Sequence, residues 1–191
     1  MLDDRQTVLR AAHAGTVSRG DAQAPAAGKD PPPGSPAEPM PRRYYFEDFT
    51  VGDVWEMQSP VITKEEIVDF ASRFDPQYFH VDEEAARHST YGGLIASGWH
   101  TVSICMRLIC DRYLLDAMSM GSPGVSELRW LRPVRPGDSL RLRITVTEAK
   151  ISRSRPDRGT VAHLWEAFNQ DAELVMTMQG EGILARRNRS P

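Results

Sequence analysis

SGWHTVSICMRLICDRYLLDA, residues 97 to 117, constrains how the rest of the chain folds. Val102, Cys105, Met106, Ile109 and Tyr113 recur at three- and four-residue spacing, and Ile104, Leu108 and Leu115 widen the stripe. A helix that is apolar over most of its girth must be covered on most sides, so the pattern predicts one long buried helix. Ser97 stands where an N-cap belongs, and SMGSPG, residues 119 to 124, breaks the pattern at the far end.

The cover lies downstream. VSELRWLRPV is followed by the turn Arg135-Pro136-Gly137-Asp138. Then, in SLRLRITVTEAK, Leu140, Leu142, Ile144 and Val146 alternate with Arg141, Arg143, Thr145 and Thr147. That period of two predicts a strand with one dry and one wet face. SRSRPDRG reads as a loop; GTVAHLWEAFNQ, a turn at Asn169 to Ala172 and ELVMTMQGEGILA complete an antiparallel meander. With an earlier strand after the turn at Val51-Gly52-Asp53, the expectation is an α+β domain in which about five antiparallel strands wrap one long buried helix.

Upstream, Thr63 and Glu66 form a capping box. Ile67, Phe70, Ala71 and Phe74 follow at helical spacing, and Pro76 ends that helix because the residue before a proline leaves the α region. Asp82 is placed to cap a second short helix, DEEAARHS, before the breaker Tyr91-Gly92-Gly93. Between the two helices, FDPQYFH (74 to 80) reads as an irregular, aromatic-lined segment.

The first 41 residues are of another kind. They hold no Phe, Tyr or Trp and half of the 14 prolines, a composition that buries too little apolar surface to offset its ordering entropy. We expect a disordered tail over 1–41, a folded unit over 42–187 and a short tail over 188–191. No continuous apolar stretch follows the early basic residues, as a secretory signal requires, and Asp3 and Asp4 argue against a mitochondrial presequence. Met40, just before PRRYYFEDF, is a candidate natural start.

Across 191 residues, 40% are hydrophobic and 26% charged, as in ordinary globular proteins. A net charge of −3 supplies no basic field for nucleic acid. No apolar run of about 18 residues offers a membrane span. Cys105 and Cys110, the only cysteines, fall on different faces of the long helix. A disulfide framework or a cysteine zinc site is thereby excluded, and a reducing, cytoplasmic setting is expected.

Two constellations carry chemistry. Asp75 and His80 pair a carboxylate with an imidazole that titrates near neutrality. Such a pair grips a water or hydroxyl, and positioned acid/base groups contribute ~10²–10⁴-fold in rate. Phe74, Tyr78 and Phe79 are expected to desolvate them. The plainer reading is an aspartate capping a turn beside a half-exposed histidine. In GGLIASGWHT, glycine lets backbone approach a ligand, and the first free N–H groups of the helix face it, suited to an oxygen gaining negative charge. Its plainer reading is an ordinary helix start. His100 reads as structural, and His13, His88 and His163 show no partner. Trp99, Trp130 and Trp165 read as packing. Arg129, Arg132 and Arg135, and Arg153, Arg155 and Arg158, are either solvated or phosphate-facing.

Taken together, FDPQYFHVDEEAA, YGGLIASGWHT and GSPGVSELRWLRPVRPGD resemble, in order, the MaoC-like dehydratases, the hot-dog-fold group that includes (R)-specific enoyl-CoA hydratases. The likeness runs from about Tyr44 to Leu184. The family's signature D-x-N-P-x-H puts its Asp and His on Asp75 and His80, with Gln77 where Asn is usual and Tyr78 where Pro is usual. Its His-Gly before the helix becomes Ser97-Gly98, which carries the oxyanion donor over to the amide of Gly98 and, more weakly, to Ser97. The resemblance implies a sheet around the long helix in a homodimer or higher oligomer. It also implies reversible hydration of a 2-enoyl-CoA in fatty acid metabolism, with a CoA thioester as substrate and no metal or redox cofactor. A hot-dog thioesterase and a non-catalytic acyl-CoA-binding subunit are the competing readings.

Overall fold

The alternation read in residues 139–150 becomes a strand whose inward residues, Leu140, Leu142, Ile144 and Val146, are all but fully buried. Arg141 and Arg143 on the opposite face share Glu56 of a neighbouring strand, at 2.9 and 3.0 Å. In the computed structural model, which describes residues 44–187, this strand is β3 (Ser139–Ile151). Around it lie β1 (Val54–Val61), β2 (Gly124–Trp130), β4 (Arg158–Phe168) and β5 (Leu174–Ala185). Every pairing is antiparallel and the order is β1-β3-β4-β5-β2, so the expected meander β3-β4-β5 sits at the centre. The expectations for residues 1–41, Met40, His13 and residues 188–191 fall outside the described residues.

The helices are α1 (Lys64–Phe74), α2 (Tyr78–Val81), α3 (Glu83–Arg87) and α4 (Gly98–Arg112). Thr63 caps α1 through the expected box: its hydroxyl accepts the Glu66 N–H at 3.1 Å while Glu66 takes the Thr63 N–H at 2.8 Å. Asp82 caps α3 by accepting the Ala85 N–H at 3.0 Å.

The long helix differs from its expected form in two respects. It ends at Arg112, because Tyr113 leaves the helical region (φ −154°, ψ −27°) and a 3₁₀ turn, Leu114–Asp116, follows. Tyr113 thereby joins an aromatic cluster, with ring centroids 5.3 Å from Phe49 and 5.4 Å from Trp55. The helix also buries one face only. His100, Thr101, Cys105 and Ile109 meet the core, whereas Trp99 and Met106 remain exposed on the chain alone. Val125, Trp130 and Leu131, on and just after the edge strand β2, are exposed as well. That strand carries an irregularity between Ser126 and Arg129, where Glu127 adopts φ 50°.

Candidate active site

Pro76 stops α1 and leaves Asp75 as its C-cap, with the Asp75 N–H on the Ala71 carbonyl at 2.8 Å. The chain then turns back. Gln77 N–H reaches the Asp75 carbonyl at 2.8 Å, and the segment expected to be irregular forms the single turn α2. This fold-back brings the two halves of D-x₄-H together: His80 Nε2 lies 3.4 Å from Asp75 Oδ2, with the imidazole buried.

The second wall is the buried run Leu94-Ile95-Ala96-Ser97, which reaches α4 in extended form. Ile95 N–H bonds Phe79 O at 3.1 Å and Ala96 N–H bonds Val134 O at 2.8 Å. The Ile95 carbonyl sits 2.8 Å from His80 Nδ1. A carbonyl only accepts, so Nδ1 carries a proton, and Nε2 is the nitrogen that faces Asp75.

Ser97 is fully buried and is not among the residues lining the cavity. Its hydroxyl donates to Asp75 Oδ2 at 2.7 Å and accepts the Trp99 N–H at 3.2 Å, so one side chain caps α4 and clamps the carboxylate. Of the two expected oxyanion donors, Gly98 lines the cavity and Ser97 does not; the one hydroxyl proton of Ser97 is committed to Asp75. Gln77 Nε2 donates to the other carboxylate oxygen, Oδ1, at 2.8 Å. Burial pushes the Asp75 carboxyl up, but the hydrogen bonds from Ser97 and Gln77 and the nearby His80 outweigh it and hold the group below its ordinary value.

Gly98 opens α4 with a backbone any residue can adopt; its need for glycine is one of space. A Cβ there would meet the Trp130 ring at 2.4 Å, and the indole lies flat enough on this glycine for Trp130 Nε1 to donate to Gly98 O at 3.0 Å. The Gly98 N–H, at the first helical position, has no acceptor within the helix.

Asp75, His80, Gly98 and Trp130 line one cavity of about 450 Å³, closed elsewhere by Phe79, Tyr91, Trp99 and the stretch Leu131 to Val134. One carboxylate and one imidazole thus share a cavity with apolar and aromatic walls, the usual build of a small-molecule site. Phe79 packs its ring edge-on to His80 at 4.5 Å, as expected. Phe74 and Tyr78 do not enclose the pair; they are 63% and 52% exposed on the chain alone, because α1 and α2 turn them outward.

Among the other expectations, His100 is structural: it is buried and stacks on Phe70 at 4.7 Å. Arg132 alone of the three arginines near β2 lines the cavity. Arg129 pairs with Glu127 at 3.0 Å, and Arg135 donates to the Tyr91 carbonyl at 2.6 Å. Sequence reasoning missed the Ile95 carbonyl, which no side-chain pattern reveals, and the seat of Trp130. The glycine at 98 was the available sign that something large approaches there. Among the described residues no helix is long and apolar enough to cross a membrane.

Comparison with known proteins bears on the family and the fold. The family model described as MaoC like domain matches residues 48–166. The uncharacterized protein YdeM of Bacillus subtilis is 31% identical over 143 residues, which is 74% of this chain and 99% of that protein. The crystal structure of a MaoC-like dehydratase from Rhodospirillum rubrum shares 42% identity at a TM-score of 0.69, covering 76% of this chain and 99% of that one. The unliganded R-hydratase PhaJ1 from Pseudomonas aeruginosa shares the fold at 24% identity and a TM-score of 0.61, covering 75% of this chain and 86% of that one.

Proposed function

The chain belongs to the MaoC-like domain family and has its hot-dog fold, and from that premise we propose that it is a hydro-lyase that adds water reversibly across the 2,3 double bond of a 2-enoyl-CoA. One observation carries the reading. The Ile95 carbonyl holds a proton on His80 Nδ1, which leaves Nε2 towards the Asp75 carboxylate at 3.4 Å, and both residues line the same cavity as Gly98.

Two acceptors at that spacing bind one water, which donates a proton to each. Asp75, held ionised, orients the water; His80 takes its proton through Nε2 as the oxygen bonds to C3. The π electrons of the double bond move to the thioester oxygen. The Gly98 N–H, at the positive end of α4, stabilises the enolate. The imidazolium then returns its proton to C2, the enolate collapses, and His80 is neutral again. Dehydration of the 3-hydroxyacyl-CoA is the same path reversed. The thioester enters past Trp130, Leu131 and Arg132. Support for a homodimer comes from the free edge of β2 and the apolar surface beside it, Val125, Trp130, Leu131, Trp99 and Met106.

Loss of enoyl-thioester absorbance on adding the protein to crotonyl-CoA and longer 2-enoyl-CoAs tests the reading. Turnover that disappears in both Asp75→Asn and His80→Ala is expected. Release of free thiol instead, or unimpaired turnover in both variants, overturns it.

A further inference from the structure

Arg132 is the only arginine or lysine on the wall of the cavity that holds Asp75 and His80. Its neighbours are committed elsewhere, Arg129 to Glu127 at 3.0 Å and Arg135 to the Tyr91 carbonyl at 2.6 Å. Arg132 is not. Among the described residues its guanidinium makes no hydrogen bond, and its ion pair with Glu173 is long, at 3.5 Å, with both side chains about half exposed. A charge-assisted pair closes to about 2.7–2.9 Å, and an exposed loose one contributes little. The guanidinium therefore keeps its fork of donors for another anion.

Its place is set by the backbone on both sides. Trp130 Nε1 donates to the Gly98 carbonyl at 3.0 Å, and the Val134 carbonyl accepts the Ala96 N–H at 2.8 Å, so the stretch 130–134 is pinned to 96–98 at both ends. Arg132 stands midway, no more than roughly 7 Å of chain from either anchor. The Leu131 and Arg132 N–H groups also hold this point to the Val175 carbonyl, at 2.8 and 3.3 Å. The cation thus stands beside the segment that carries the Gly98 amide. The phosphates of a CoA thioester bound at that amide are held away by the whole pantetheine arm, which is much longer than an arginine side chain. A group within reach of Arg132 is instead one a few carbons from the thioester carbonyl. Glu173 shows the chemistry the guanidinium accepts, a carboxylate, and arginine takes a carboxylate best through two parallel N–H bonds.

We propose that Arg132 determines specificity: it selects thioesters whose short acyl chain ends in a second carboxylate, which replaces Glu173 on the guanidinium. The substrate class is then the 2-enedioyl-CoA thioesters. The inference rests on the acyl-CoA part of the reading above and not on its hydration step. In a wall that is otherwise apolar and aromatic, an acyl chain ending in a methyl group gains nothing from this cation and must share the cavity with it.

Calorimetric titration of the full chain with saturated esters, which do not react, tests this. Succinyl-CoA is compared with butyryl-CoA and glutaryl-CoA with valeryl-CoA, pairs that differ by a carboxylate in place of a methyl group. A preference of about tenfold or more for the carboxylate at one of the two lengths is expected, falling to about one in Arg132→Gln, partly kept in Arg132→Lys and raised in Glu173→Gln, which removes the competing carboxylate. Being a ratio within each variant, the preference is unmoved by a general loss of stability. A ratio near one in the unaltered chain at both lengths, a ratio that persists in Arg132→Gln, or failure of all four esters to bind overturns the proposal. A cation that serves the CoA phosphates would weaken both members of a pair alike and so give the first of these results. In turnover, the kcat/KM ratio of fumaryl-CoA to crotonyl-CoA should drop by the same factor in Arg132→Gln. If no enoyl-CoA turns over at all, the hydro-lyase reading fails and the calorimetric ratio still decides this one.

Discussion

Ser97 Oγ donates to Asp75 Oδ2 at 2.7 Å across 22 residues, which ties the start of α4 to the end of α1. Removing a donor from an ionised acceptor raises its pKa. Ser97→Ala is therefore expected to move the Asp75 titration, followed by carboxyl ¹³C NMR, to higher pH, and Ser97→Thr to bring it back. The sign for stability follows: the Asp75 contribution is complete above the ordinary value of 3.8 and is lost as pH falls through the lower folded one, a window that Ser97→Ala narrows. Turnover of the enoyl-CoA should drop about tenfold or more. A merely structural Ser97 would lower the melting temperature and leave the titration where it was.

Gly98 and Trp130 are complementary in shape. Gly98→Ala puts a methyl where the indole lies, 2.4 Å from its nearest atom. Trp130 is half exposed and free to swing out, so the fold should survive while the cavity wall shifts. We expect kcat/KM to fall by about a hundredfold, the usual cost of an ångström-scale misplacement at a reacting centre. The Trp130 indole N–H resonance should also move towards its solvent-exposed position. Unchanged kinetics would show that neither group positions the substrate.

Much of this architecture was legible because its signals are local. The capping box at Thr63, the stop at Pro76 and the alternation from Leu140 to Val146 each need only a few neighbouring residues. The strand order was not readable, since the edge position of β2 depends on which strand β5 accepts on its free side. At the site, Asp75 and His80 could be named from spacing. Their union depends on the one-turn helix α2, four residues being too short to show periodicity. The outward swing of Phe74 and Tyr78 was missed for the same reason: an aromatic beside a polar residue in sequence need not share its side of a turn. Trp165 reads as packing and His163 as a residue without a partner, because an alternating strand does not reveal the glycines paired with it in the next strand.

Thr63 holds the first turn of the helix whose other end carries Asp75. Thr63→Ala removes one half of the box, since the Glu66 N–H loses its acceptor and the Glu66 carboxylate loses the hydroxyl, while the Thr63 backbone N–H still reaches Glu66. The expected cost is about 1 kcal/mol, read as a lower urea midpoint with an unchanged slope. A larger cost with a changed slope would mean that α1 unfolds separately from the sheet.

His163 should make the protein acid-sensitive well above the carboxylate range. Its ordinary pKa of 6.5 is depressed to about 4 by burial, so between those values the unfolded chain takes up a proton that the folded chain refuses. Stability therefore falls as pH drops through this window and rises with pH across it. At ~1.4 kcal/mol for each pH step, the gap corresponds to about 3 kcal/mol. His100, also lowered by burial and partly offset by Glu66, adds to the same slope with the same sign. Urea unfolding at a series of pH values from 7 to about 4 should show the midpoint declining, and His163→Leu should flatten most of that decline while leaving the smaller part due to His100. A midpoint that stays constant down to pH about 4 would place the His163 ring in water rather than between α4 and the sheet.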